Sequence, residues 1–155
     1  MDPDFRVRLA AIDHLQALQV RYDDMIPRAE ILRNLLVDGQ PYALFNPQAG
    51  IHRPRRFRGS AALTIVTAAP SPSRPPPYDD AFDEASGTIV YSYRDGSIES
   101  ADNRALRAAC VEQVPLIYLM ESHPLSTRWR RRCSSFRTCL RSELYWCRSV
   151  AVRRI

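Results

Sequence analysis

The sequence predicts an α+β domain, a curved sheet or small barrel preceded by an N-terminal helical cap, and three observations carry that prediction. Residues 1–39 place apolar side chains at helical spacing. Short β-branched stretches separated by proline- and glycine-bearing segments follow from Ala61. One well-bounded helical stretch then lies between the last two of those strands. At 155 residues, 45% of them apolar, the chain is long enough for one domain with a real core.

From Phe5, the residues Val7, Leu9, Ala10, Ile12, Leu15 and Leu18 recur as on a helix of four or five turns, with Asp2 or Asp4 as the capping residue. Pro27 suits the start of a second, shorter helix, "PRAEILRNLLVDG", closed by Gly39. "QPYALFNPQAGIH" reads as a strand leading into a loop. "AALTIVTAA", residues 61–69, is apolar on both faces, as a buried strand is. The stretch "PSPSRPPP" cannot donate to a ladder and predicts a stiff polyproline-like loop. "TIVYSYRD" has a period of two, so Ile89, Tyr91 and Tyr93 share one face. Ser100 or Asp102 begins a helix of about three turns, with Leu106, Ala109, Cys110 and Val114 on one side and Pro115 at its end. "PLIYLM" is a further buried strand.

Charge is unevenly placed along the chain. The formal net charge is +5, with no lysine, but residues 122–155 hold nine arginines and one acid, Glu143, leaving thirteen arginines against sixteen acids before them. The overall charge is therefore weak evidence for nucleic-acid binding. That Arg-, Ser- and Cys-rich tail has no clean period, and reads either as a frameshifted or degenerate segment or as a basic arm that orders on DNA. The expected organisation is a helical segment at 1–39, a core at 40–121 and this tail at 122–155. No apolar run approaches bilayer length, and the N-terminus lacks the pattern of a signal peptide, which predicts a cytoplasmic protein with no membrane partner.

The chemistry available is limited. Cys110, Cys133, Cys139 and Cys147 form no C-x-x-C pair, and His14, His52 and His123 are scattered, so neither a metal nor another cofactor is expected. No nucleophile-elbow, zincin or P-loop pattern occurs. Asp79, Asp80, Asp83 and Glu84 form the one carboxylate cluster, either a solvated turn or a Mg²⁺ site, though without the lysine that a nuclease metal site favours. Tyrosines beside carboxylates also suit a flat polar ligand: rings stack a base, and a carboxylate accepts from the exocyclic amine of cytosine.

The segments "GIHRPRRFRGS", "RGSAALTIVTAA", "YDDAFDEASGTIVYSYRDG" and "DNRALRAAC", in that order, resemble the SRA (SET and RING finger associated) domain. With "LAAIDHL", "IPRAEIL" and "NPQAGIHRP", residues 5–120 are similar to the SRA-like region of bacterial HNH restriction endonucleases that attack modified DNA. The resemblance implies an SRA/PUA-like fold. It implies recognition of 5-methylcytosine or 5-hydroxymethylcytosine by base flipping, with double-stranded DNA as partner, in a restriction-modification setting. Carried over, Tyr78 and Tyr93 are the stacking rings, with Tyr91 as the alternative second ring. Asp80 or Asp79 reads the base, because Ala81 stands where the eukaryotic pattern has its aspartate. His52, Arg53, Arg55, Arg56, Arg58 and Arg104 are the candidate DNA-backbone contacts. No HNH motif follows, so cleavage is not expected of this chain alone; it reads either as a truncated or frameshifted relic of such an endonuclease or as a DNA-binding chain whose partner is a separate nuclease subunit. Two other classes fit the same residues: a metal-dependent nuclease using Asp79 and Asp80, and a non-DNA interaction module that presents the proline-rich loop to another protein.

Overall fold

The computed structural model describes residues 2–23, 25–67, 81–83, 88–90, 99–121 and 128–130. They form a mixed α+β arrangement. The long helix α1 (Phe5–Arg21) leads to β1 (Met25–Pro27), the single turn α2 (Arg28–Ile31), and the hairpin of β2 (Leu35–Val37) and β3 (Gln40–Tyr42). Then come β4 (Ile51–His52), β5 (Thr64–Thr67), a second hairpin of β6 (Ala81–Asp83) and β7 (Thr88–Val90), helix α3 (Ala101–Val111), β8 (Ile117–Glu121) and β9 (Arg128–Arg130).

The main sheet has the order β1-β9-β8-β5-β4. Its centre is the parallel pair β5 and β8, with Ile65 opposite Tyr118 and Val66 opposite Leu119; the flanking pairs are antiparallel. A parallel neighbour requires a crossover, and the chain between β5 and β8 supplies it through α3. Both faces of this centre are covered. Leu119, with Val66 and Ile117, packs against a core that contains Val7, Ala11, Leu15 and Leu18 of α1. On the other side Ile65 and Tyr118 pack with Ala105, Leu106 and Ala109 of α3. Burial on both sides fits the adjacent apolar residues Ile65 and Val66 of β5, a strand that starts at Thr64, later than the expected Ala61. Among the described residues the sheet does not close into a barrel.

Three local expectations are corrected. The second helix, expected to run to Gly39, stops after one turn, and residues 35–42 form the hairpin instead. Val37 pairs with Gln40 around Asp38 and Gly39, whose φ angles are +52° and +74°. Two successive positive φ angles make the primed turn that matches strand twist, and Asp-Gly is its preferred sequence. At the start of α1 neither Asp2 nor Asp4 caps the helix through its side chain; Asp4 holds the N-cap position but its carboxylate bonds elsewhere. The buried stripe of α1 is also rotated from the expected one, comprising Val7, Arg8, Ala11, Leu15, Leu18 and Gln19.

Helix α3 begins as the sequence suggests, with the Ser100 hydroxyl accepting from the Asn103 amide at 3.3 Å. It ends in paired bonds from Gln113 N–H to the Cys110 carbonyl and from Val114 N–H to the Ala109 carbonyl, with Gln113 at φ +51°. Cys110 is half-buried rather than fully in the core. The start of the basic tail contributes a strand: Arg128–Arg130 lies between β1 and β8.

Candidate functional site

The segment from His52 to Gly59 leaves β4 and carries four of the candidate DNA-backbone arginines. Its shape follows from two apolar anchors. Pro54 is buried and Phe57 is buried, so the residues between them, Arg55 and Arg56, are forced outward. The Phe57 N–H donates to the Pro54 carbonyl at 3.0 Å, which closes a four-residue turn with both arginines at its tip. Neither guanidinium has a hydrogen bond or ion-pair partner among the described residues, and both are exposed.

Arg53 behaves differently. Its Nη1 donates to the Phe57 carbonyl at 3.2 Å and the Gly59 carbonyl at 3.1 Å, so its charge is used to fold the segment back on itself. The backbone amides of Arg58 and Gly59 donate to the two carboxylate oxygens of Asp4, at 3.0 and 2.7 Å. Arg58 itself is exposed.

Beneath the turn lies Arg8, which is fully buried. Its Nε donates to Asp2 at 2.7 Å, and its two terminal nitrogens donate to the carbonyls of Ala61, Ala62 and Pro115. Arg8 therefore joins α1 to the segments entering β5 and β8, supplying donors to the carbonyls of three buried residues and to one oxygen of Asp2. Sequence reasoning missed it because the first helix was read from its apolar residues alone. Its spacing of three from Ala11 and seven from Leu15 was the available signal.

His52 is half-buried, and its Nε2–H donates to the Ala43 carbonyl at 3.0 Å. Burial pulls its pKa below the ordinary histidine value, against smaller opposing effects of the Ala43 bond and the Asp102 charge. A neutral imidazole fixed in this way adds no positive charge to the arginine segment. Arg104 is exposed on α3 and donates to the Glu99 carbonyl at 2.9 Å. Nearby, Arg107 forks onto the Glu99 carboxylate at 3.1 and 2.9 Å, and holds that carboxyl below the usual range.

The residues expected to form the base pocket, Tyr78, Asp79, Asp80, Tyr91 and Tyr93, lie outside the described residues, as do Glu84 and His123. The short hairpin that lies between these two groups of residues in sequence is described: Ala81 pairs with Val90 and Asp83 with Thr88. Among the described residues no three His, Cys, Asp or Glu side chains gather into a group able to hold a metal. No described helix is long and apolar enough to cross a membrane.

No protein-family model, curated protein or solved structure matches this chain.

Proposed function

We propose that this chain binds double-stranded DNA containing 5-methyl- or 5-hydroxymethylcytosine, turns the modified base out of the duplex, and stacks it between Tyr78 and Tyr93 with Asp80 or Asp79 reading its polar edge. The proposal includes an SRA/PUA-like fold and a place in the restriction of modified DNA, with no cleavage step assigned to this chain's own residues. The observation that carries DNA binding is the turn at Arg55 and Arg56, where two exposed guanidiniums have no acceptor among the described residues. Phosphate oxygens are the acceptors that such an outward pair fits.

The pocket rests on the sequence resemblance and on chain reach. Tyr78 precedes Ala81 by three residues and Tyr93 follows Val90 by three, and Ala81 and Val90 are paired. Three residues of chain span at most about 11 Å, so the chain length on either side of that pair is compatible with both tyrosines serving one pocket. Stacking supplies affinity for any base, while the carboxylate and the space beside the cytosine 5-position supply discrimination.

The test is binding, at one fixed moderate salt concentration, to matched duplexes carrying cytosine, 5-methylcytosine or 5-hydroxymethylcytosine at a single site. A preference for one modified duplex that Tyr78→Ala/Tyr93→Ala abolishes is the expected result. Equal, weak binding to all three duplexes, unchanged in that variant, overturns base reading. Divalent-metal-dependent cleavage lost in Asp79→Ala or Asp80→Ala would instead identify a nuclease.

A further inference from the structure

We propose that Asp4 is a positioning residue for DNA binding, a latch at the start of α1 that fixes the direction in which Arg55 and Arg56 point. The proposal rests on the DNA-binding reading above.

Three observations support it. Asp4 occupies the N-cap position of α1, where an aspartate ordinarily accepts from an amide of the first helical turn, yet its side chain makes no such bond. Both of its oxygens are committed to the Arg58 and Gly59 amides, and the residue is 95% buried, with a relative exposure of 5%. The helix start thus forgoes its own cap to hold a segment more than fifty positions away. The approach is also tight: a Cβ added at Gly59 would stand 3.1 Å from Asp4 Oδ2 and 3.4 Å from Pro3 Cγ. A side chain here would require the carboxylate to give by a few tenths of an ångström.

The latch works with a second fixture. Asp2 accepts from the Asp4 amide through Oδ1 and from Arg8 Nε through Oδ2, and Arg8 lies under the Phe57 ring. The arginine turn is therefore gripped at Phe57 from below and at Arg58 and Gly59 from the side. Arg53, also turned into the segment, belongs to this fixture; Arg55 and Arg56 are the groups it presents at the tip of the turn, with the exposed Arg58 side chain beside the latch. A rigid presentation matters because two long side chains on a loose loop lose conformational freedom on binding, and a fixed turn reduces that loss.

The experiment compares wild type, Gly59→Ala, Asp4→Asn, Arg55→Ala/Arg56→Ala, and each of the first two changes combined with the double arginine change. Binding to an unmodified duplex is measured across a salt series, with thermal unfolding and amide hydrogen exchange recorded for every protein. Gly59→Ala crowds the latch without removing a buried partner, and Asp4→Asn keeps the shape but replaces one acceptor with a donor. The expected result is a loss of affinity of about three- to tenfold for either latch variant in the wild-type background, and no further loss when the arginines are already absent. The Arg58 and Gly59 amides are expected to be protected from exchange in wild type and to lose protection in Asp4→Asn, while the amides of α3 remain protected. Equal losses in both backgrounds mean that Asp4 acts on overall stability and overturn the latch; so does wild-type affinity in both latch variants. If wild type shows no salt-dependent binding at all, the DNA reading fails instead. The latch is then judged on exchange, and unprotected Arg58 and Gly59 amides in wild type overturn it.

Discussion

The guanidinium carbon of Arg8 lies 5.0 Å from the centroid of the Phe57 ring, with the charge of one buried residue set against the face of another. The contact joins the first helix to the arginine-bearing segment through a cation–π interaction in a site largely removed from water. It also explains how an arginine can be fully buried here: the ring takes one face, while Asp2 and three carbonyls take the edge.

Arg8→Met is expected to destabilise the protein by about 3–5 kcal/mol, because the Asp2 carboxylate loses its charge partner while the carbonyls of Ala61, Ala62 and Pro115 lose a donor. Arg8→Met/Asp2→Asn should recover part of that loss, since the unpaired buried charge is removed with its partner. Urea unfolding of the three proteins measures both effects. A cost under about 1 kcal/mol for Arg8→Met would mean that these groups reach water easily.

The hairpin turn gives a smaller and more local effect. Gly39 has φ +74° with nothing within 4 Å of an added Cβ, so Gly39→Ala tests backbone conformation without a clash. The expected cost is about 1–2 kcal/mol, the penalty for an L-residue in the left-handed region. Thermal or urea unfolding reads it, and a neutral result would show that the turn shifts to another type.

Those two sites also show what the sequence conceals. Helices α1 and α3 and strands β5 and β8 were legible because each carries its own period or its own apolar run. Residues 35–39 were misread because Leu35, Leu36 and Val37 continue a helical count from Ile31, and the stronger cue, Asp-Gly followed by a second short strand, was treated as a helix end. Strand β9 has no local signature, since its partners β1 and β8 are set by tertiary pairing, β1 about a hundred positions away in sequence. At the candidate site, the arginine run was visible as composition. Which guanidiniums face outward was not, because that depends on the buried Pro54 and Phe57 and on an aspartate more than fifty positions earlier in the chain.

His52 should make stability fall on mild acidification. Its folded pKa is depressed by burial below the ordinary 6.5, so between the unfolded and folded values the unfolded chain binds more protons. Stability from this group is complete above the unfolded value and declines as pH drops below about 6.5, levelling off beneath the folded value. The Asp102 charge opposes the shift and narrows that window. Denaturant unfolding at pH 7.5 and at successive points down to pH 5 should show a loss that His52→Gln lacks. Parallel curves for the two proteins would place the titration elsewhere.

The sharpest prediction about binding separates the arginines by what they already bond. For duplex DNA the logarithm of affinity falls linearly with the logarithm of salt, with a slope of about −0.9 for each phosphate neutralised. Arg55 and Arg56 have no acceptor among the described residues, so Arg55→Ala/Arg56→Ala should weaken binding and make the slope shallower by about 1.8, the value for two phosphates. Arg53 is committed to the Phe57 and Gly59 carbonyls, so Arg53→Ala should weaken binding by loosening the turn while leaving the slope near that of wild type. Arg104 donates to the Glu99 carbonyl and its loss should also leave the slope in place. Filter binding or fluorescence anisotropy over a fourfold range of salt distinguishes these outcomes. A slope that responds to Arg53 as strongly as to Arg55 and Arg56 would mean that the segment opens on DNA and the Arg53 guanidinium turns outward. A slope that responds to none would place the phosphate contacts on another part of the chain.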